Sequence, residues 1–541
     1  MNAKDLQAPK KRSLETTEAW ILGSGTASFA AALYLVQDIK MPAHKVHVLD
    51  SHVSVENVLH HKGNFITGYD QFAGCLPVPV GAPLKELLAS VPSVGNQGQS
   101  VLDDIQNAEI NRTSVSHNHG TRFMVKRNSN LRNVSTKSLN LSSKQRLQLI
   151  WFLLKREKRL GRNQIQDLLP NSFFQSSFWV IWSAQFGFQP WHSAAEFRRS
   201  LCLHLKEFHN LSILGCLDIT GYYQHEFIFI PIYRFLHSLG VDFQFDTKVA
   251  DITTIPHNEH QSISQLDLIQ SGFPTRKKIG QNDIVIMTLG STISGSATGT
   301  NDHQPIWQPI ETGEELDENW SLWLELGTRH RKFGNPYNFC TRQSESMIES
   351  FTITTEDLTL FQQINALSHS MVGAGAFISL PESHWRLNIC IPAQPVFSQQ
   401  PWNVRVLWGF AIFPWGKGNY VKKPMLECSG EEVMTEVLRH LDIVPELLIR
   451  RTITIPRVMP RMSSILLARS SRDRPEIIPQ NTCNIGLIGQ FVDVPRYSCA
   501  DMSYGVRTAQ MAVSQLMGAD IQREKRWKLS MSNLLKFLFG R

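Results

Sequence analysis

A chain of 541 residues with 42% hydrophobic content exceeds what a single core usually holds, so a globular protein of two or three packed domains is expected. Lys and Arg outnumber Asp and Glu by 54 to 47, and the net charge of +7 favours an anionic surface or an acidic ligand without implying nucleic acid as a partner. The eight cysteines contain no C-x-x-C pair, so neither a zinc or other metal site nor a disulfide framework is indicated, and reduced thiols in a cytoplasmic protein are the expectation.

Met1 to Glu18 is polar and basic, lacks the apolar segment of an export signal, and reads as a flexible tail, residues 1–18. Ala19-Trp20-Ile21-Leu22 then predicts a short buried strand, Gly23 to Ser28 a turn, Phe29 to Gln37 an apolar helix, and Val46-His47-Val48-Leu49 a second strand closed by Asp50. That order opens a βαβ unit of Rossmann type. Gly23 permits the tight turn, Gly25 lets backbone N–H groups approach a pyrophosphate, and the helix start favours its negative charge. Ser28 stands at the last position of a loose G-x-G-x-x-G/A motif, and the Asp50 carboxylate is placed to accept from ribose hydroxyls. The rest of residues 19–140 is rich in Gly, Pro, Ser and Asn and predicts loops across the cofactor site, with a short helix near Leu84 to Ala89.

Residues 141–240 read as a mainly helical substrate-channel region, with dense aromatics from Phe173 to Trp191. Residues 241–300 return to the nucleotide domain through a hairpin or paired strands at Val241 to Ile252, where Val249 counts as a cofactor contact, and a continuous apolar strand at Asp283 to Thr288. Residues 301–455 mix strands and helices in an α+β substrate domain. Within residues 456–520, the strand Ile485 to Ile488 runs into Gly489-Gln490 and a helix rich in small residues starts near Tyr504. Such a late strand-helix unit closes a flavin site, whereas a simple NAD enzyme needs none, so FAD is favoured and Gly489 and Gln490 join the cofactor set. Apolar runs such as Phe227 to Tyr233 are too short to span a bilayer, so no transmembrane helix is predicted. The expected fold is α/β: a Rossmann-type FAD-binding domain, an inserted α+β substrate domain and a C-terminal helical tail.

Several collinear blocks carry a family resemblance. Ile21 to Ser28 with Ala30-Ala31-Ala32, Ser100-Val101-Leu102-Asp103, Phe178 to Ala194, Glu349 to Thr355, Gly418 to Met425 with Cys428, Gly430 and Glu431, and Arg472-Asp473-Arg474-Pro475 follow one another in order, and with the Gly489-Gln490-Phe491 segment they cover the chain from Ala19 to about Met517. In these the chain resembles the oleate hydratase family, also called the myosin-cross-reactive antigens. The resemblance implies bound FAD, a long-chain unsaturated fatty acid as substrate, and addition of water across a cis double bond. It implies Tyr222 as the catalytic acid, while a second family tyrosine is His225 here. The family's Arg-Gly-Gly-Arg-Glu loop, whose glutamate activates water, aligns with Phe72-Ala73-Gly74-Cys75-Leu76, so both arginines and the glutamate are absent. Asp70, Glu56, His60 or His61 are the bases the same loop offers, though as a residue of a polar loop each is more often merely solvated.

Two further features carry alternatives. The rings of Phe173, Phe174, Phe178, Trp179, Trp182, Phe186, Phe188 and Trp191 read mostly as core, with some left to line an apolar tunnel, and His192 reads as a structural histidine more readily than as a catalytic one. Residues 521–541 hold six bases against one acid, a net +5, beside Trp527, Leu534, Leu535, Phe537 and Leu538. This basic amphipathic tail suits peripheral docking on an anionic membrane, or packing on the protein's own core or on a second subunit of a homodimer. Among activities, a hydratase (a hydro-lyase of lipid metabolism), a double-bond isomerase, a flavin redox enzyme and a FAD- and lipid-binding protein without turnover all stay open.

Overall fold

A computed structural model describes residues 12–54, 62–70, 82–107, 122–127, 130–133, 141–204, 228–257, 260–308, 316–368, 376–392, 394–397, 399–446, 448–500 and 503–519. Ala19–Leu22 is buried at every position, as a central strand covered on both faces must be. It pairs in parallel with Val46–Leu49 on one side and Ile284–Thr288 on the other. Asp242–Gln244 and Ile485–Ile488 extend the two edges, giving a five-stranded parallel sheet in the order Ile485–Ile488, Ile284–Thr288, Ala19–Leu22, Val46–Leu49, Asp242–Gln244. The predicted βαβ start is therefore present. The helix begins at Thr26, immediately after Gly25, three residues earlier than its apolar pattern suggests.

The stretch Val241 to Ile252 divides at Asp246, which sits at φ 51°. Its first part joins the parallel sheet, and Thr247–His257 opens an antiparallel meander with His260–Gln270 and Phe273–Lys278. An eight-stranded sheet forms the second layer, in the order Ala297–Thr298, Thr452–Met459, Ile348–Thr355, Arg405–Ala411, Leu387–Ile391, Ala376–Leu380, Arg122–Arg127, Asn130–Asn133. Two of its strands come from within residues 19–140, and Thr452–Met459 runs across the expected boundary at 455, because a strand is placed by its pairing partners and not by its neighbours in sequence. The whole is a mixed α/β structure containing a parallel sheet. No helix among the described residues is long and apolar enough to cross a membrane.

The eight-stranded sheet separates two cores. Ile348, Phe410, Trp408 and Met459 belong to the first, shared with the parallel sheet and the aromatic helix Ser177–Phe186, while Phe351, Ile353, Leu387 and Ile389 pack with Val433 and Val437 of helix Gly430–His440 in the second. Ser429 starts that helix with a capping box to Glu432. Gly430 touches the sheet so closely that a Cβ would lie 1.8 Å from the Thr454 carbonyl oxygen.

Glu349 alternates with Phe351 and Ile353 and so faces the second core, fully buried, with neither carboxyl oxygen hydrogen-bonded among the described residues. Burial raises its carboxyl well above the usual range, and burial together with nearby Glu432 and Glu349 pushes the Cys428 thiol up. A carboxyl that stays protonated when folded but ionises when unfolded destabilises the fold increasingly as pH rises above its unfolded value of about 4.3. Glu349→Gln is therefore expected to raise the melting temperature, with a gain near zero at about pH 4 that grows toward about pH 8. Melting curves across that range check it; a gain that does not vary with pH contradicts the assignment.

Candidate functional site

The parallel sheet's carboxyl edge is where Gly23, Asp50, Thr288 and Gly489 meet, each at or just past the end of a strand. Gly23 adopts φ 89° while its N–H donates to the Leu49 carbonyl at 2.8 Å, and a Cβ there would lie 2.9 Å from Asn319 Oδ1. Gly25 lies at φ 151° and ψ 178°, a conformation open essentially to glycine alone. Among the described residues a Cβ at Gly25 would meet nothing within 4 Å, and none of their side chains caps the helix Thr26–Leu33 that it starts. The first-turn N–H groups of that helix thus lie beside a residue without a side chain, an arrangement that suits an anion.

Asp50 is buried at the neighbouring strand end. Its Oδ2 accepts from the Ser24 N–H at 2.6 Å, and its Oδ1 accepts from the His52 N–H at 2.8 Å and meets His52 Nδ1 at 2.5 Å. Burial pushes this carboxyl up, but hydrogen bonds and charge from His52, with Ser24, outweigh it and hold the group below its ordinary value. Asp50 therefore fixes the glycine turn. The Ser28 hydroxyl bonds with that of Thr288 at 2.8 Å, tying the helix to the adjoining strand, which is the packing role of the motif's last position. Val249 is buried in the meander, two residues beyond Thr247, whose N–H donates to the Asp50 carbonyl at 2.9 Å.

Gly489 adopts φ 98° and donates its N–H to Thr508 Oγ1 at 3.0 Å, which anchors the end of Ile485–Ile488 to helix Ser503–Met517. Gln490 donates from Nε2 to the Cys499 carbonyl at 3.1 Å. A Cβ at Gly505 would lie 3.4 Å from Ala27, so the first turns of the two helices lie side by side at the carboxyl edge.

Tyr222, His225, Glu56, His60, His61 and the segment Phe72 to Leu76 lie outside the described residues, as does the tail 521–541. Asp70 is described and is not a free base. Arg457 Nε donates to its Oδ1 at 3.0 Å, Arg457 Nη2 donates to Oδ2, and both side chains are buried. His192 is structural: fully buried, it accepts from the Gln189 N–H at Nδ1 (3.0 Å) and donates from Nε2 to the Glu345 carbonyl at 3.1 Å. Burial lowers its pKa to about 4, so it is neutral at ordinary pH. Phe173, Phe178, Trp179, Trp182 and Phe188 are core, with Phe178 stacked on Trp182 at 5.5 Å, while Phe174, Phe186 and Trp191 are only partly covered.

Two features escaped the sequence pattern. Directly opposed positions on six strands, Thr298, Arg457, Ser350, Phe410, Asn388 and Ser379, form a row on the face turned to the first core. In it Ser350 Oγ and Asn388 Oδ1 are buried with no partner among the described residues, as is Trp408 Nε1 beside the row. The second is a buried charge cluster. Glu196 Oε1 accepts from Arg469 Nη2 at 2.6 Å, Arg199 Nη1 at 3.2 Å and Arg474 Nη1 at 3.3 Å, and Oε2 accepts from Cys499 Sγ at 3.2 Å. Arg199 also binds Glu157 and Asp493. Burial opposes the Glu196 charge, but Arg474, Arg199 and Arg469 hold its carboxyl far below the ordinary range. Only the Arg472 to Pro475 block hinted at it, since partners more than 270 residues apart leave no periodicity to read.

A model of the MCRA family matches residues 16–514. The chain is 28% identical to an oleate hydratase of Streptococcus pyogenes over 96% of its own length and 88% of that protein's, and 25% identical to a linoleate hydratase of Lactiplantibacillus plantarum over 93% and 94%. Among solved structures, an oxidoreductase from Methanosarcina mazei matches 92% of this chain and all of its own, at 12% identity and a TM-score of 0.49.

Asp493 and Glu157 still reach Arg199 and Asp493 still reaches Arg469, but Glu196 is the carboxylate that pairs with fully buried Arg474, so Glu196→Gln is expected to cost about 3–5 kcal/mol of stability. Urea unfolding of the purified variant measures it, and a loss below about 1 kcal/mol would show that the cluster is not held by this carboxylate.

Proposed function

The chain belongs to the MCRA family, and from that premise we propose that it is an FAD-binding hydratase that adds water across an isolated cis double bond of a long-chain unsaturated fatty acid. The observation that carries this reading is the near end-to-end match to two curated hydratases named for fatty acids. FAD is the cofactor that the residues fit. The uncapped helix start after Gly25, the open side of Gly25, buried Asp50 and the adjoining start of helix Ser503–Met517 together offer a seat for a pyrophosphate and a ribose. Gly23, Gly25, Asp50, Gly489 and Gln490 would hold it, with Ser28 and Val249 supporting from behind. Because hydration leaves the overall oxidation level of substrate plus water unchanged, bound FAD would supply shape and charge and would exchange no net electrons.

The chemistry asked of the protein is a proton delivered to one alkene carbon and a water oxygen to the other, with a proton leaving that water. We assign the delivery to Tyr222, whose phenol, ordinarily near pKa 10, acts only where the developing cation is stabilised. No glutamate stands at Leu76 to take the proton from water, and Asp70 is committed to Arg457. Ser350 Oγ and Asn388 Oδ1, without partners among the described residues, offer buried polar atoms to a water or to a polar group of the substrate, in a row that also holds Thr298, Arg457 and Ser379.

Purified protein is expected to carry non-covalent FAD, and Gly25→Trp to lose it, since the indole would fill the space where backbone and pyrophosphate meet. A fully yellow Gly25→Trp protein refutes the seat. Mass analysis of products after incubating flavin-loaded protein with oleate and linoleate tests the reaction. With the water-activating carboxylate missing, turnover on oleate is expected about 10²–10⁴-fold below that of a hydratase that keeps it, and Tyr222→Phe should remove the remainder. Fast oleate hydration that survives Tyr222→Phe would overturn the assignment of the acid, and double-bond migration without added water would replace hydration by isomerisation.

A further inference from the structure

Helix Ser143–Leu154 presents an apolar stripe to solvent. Leu147, Trp151 and Leu154, spaced by four and three residues on one face, are 51%, 66% and 50% exposed. The helix itself is firmly placed. Ser142 caps it with Gln145, Arg198 Nε donates to the Leu153 carbonyl at 2.9 Å, and Leu149, Ile150, Phe152 and Leu153 are buried on its opposite side. Phe152 packs on Phe197 at 5.6 Å, and Phe197 in turn touches Phe173, Trp179, Trp182 and Phe188. The solvent-facing stripe is thus the outer side of a rigid element that backs onto the aromatic block.

Its surroundings are strongly basic. Lys144 on the helix and Lys155, Arg156, Lys158, Arg159 and Arg162 in the eight residues that follow it are all exposed. The one acid between residues 141 and 162, Glu157, is already bound by Arg199. An exposed tryptophan and two leucines with these bases match an anionic lipid surface: the rings and methyl groups enter the headgroup boundary while the bases meet lipid phosphates. A second copy of the chain is the poorer occupant, because a twofold contact on this face would bring the two basic segments together.

We propose that Leu147, Trp151 and Leu154, with these bases, dock the protein on anionic bilayers, independently of the tail 521–541. Each base near such a surface contributes about fivefold to binding. Co-sedimentation of the full-length protein with phosphatidylcholine vesicles, with and without phosphatidylglycerol, tests this at low and high salt. Binding is expected only with the anionic lipid, weakening with salt. Trp151→Ser with Leu154→Ser, and separately Lys155→Glu with Lys158→Glu, should each cut it roughly tenfold or more. Circular dichroism melting should be unchanged, because all four side chains are exposed. A variant with the six tail bases changed to glutamine should keep salt-sensitive binding that the Trp151→Ser change then removes. Full binding by both helix variants, loss of binding with the tail change alone, or dissociation of a dimer by Trp151→Arg without vesicle binding would each overturn the proposal. The measurement reads binding alone, so its outcome does not depend on whether fatty acids are turned over.

Discussion

Three guanidinium groups around one buried carboxylate fix how the last third of the chain sits on the middle. Arg199 and Glu196 belong to helix Ala194–Leu203, whereas Arg469, Arg474, Asp493 and Cys499 flank the strand Ile485–Ile488. In a buried site, withdrawing a member of such a cluster strands a charge at a cost of about 3–5 kcal/mol, which favours one placement of the segment 465–499. That single placement sets Ile485–Ile488 beside Ile284–Thr288 and brings Gly489 and helix Ser503–Met517 next to Gly25. The carboxyl edge of the parallel sheet therefore depends on charges that lie away from it. Val494 and Tyr504 reinforce the link, the Tyr504 hydroxyl accepting from the Val494 N–H at 2.9 Å and donating to the Val492 carbonyl at 2.6 Å.

What the sequence made legible follows from how far each signal reaches. Gly23, Gly25 and Asp50 act within one βαβ unit, so local spacing was enough to place them together. The strands Ile284–Thr288 and Ile485–Ile488 announced themselves as continuous apolar runs, since both faces of a parallel strand are covered. Asp70 was read as a loop residue because its partner Arg457 lies 387 positions away. Strands Arg122–Arg127 and Asn130–Asn133 were hard to see for the same reason: three apolar residues, Phe123 to Val125, amid polar sequence find their sheet only where Ala376–Leu380 offers an edge. His192 and the aromatic block could be weighed correctly because burial of a ring near a turn is the commoner outcome for those residue types.

The two faces of the eight-stranded sheet solve different problems. One carries Glu349 into an apolar core where no described residue bonds its carboxyl, and the other carries Ser350, Asn388 and Arg457 toward the interior shared with the parallel sheet. Alternation along a single strand, Glu349 against Ser350, thus puts a protonated carboxyl and an unmatched hydroxyl back to back. Each buried polar atom left without a partner costs stability, so such positions are kept few.

Among the described residues the strand Ile485–Ile488 pairs on one side, with Ile284–Thr288, and almost two hundred residues separate the two in the chain. During synthesis at about 5–20 residues per second, roughly 10–40 s pass between emergence of the earlier strand and arrival of its last partner. Through that interval Ile284-Val285-Ile286-Met287 offers an apolar edge with bare N–H and C=O groups, a template for pairing with any other nascent chain. A slower passage of the ribosome across this gap prolongs the exposure, and a chain truncated within it lacks the strand that covers this edge.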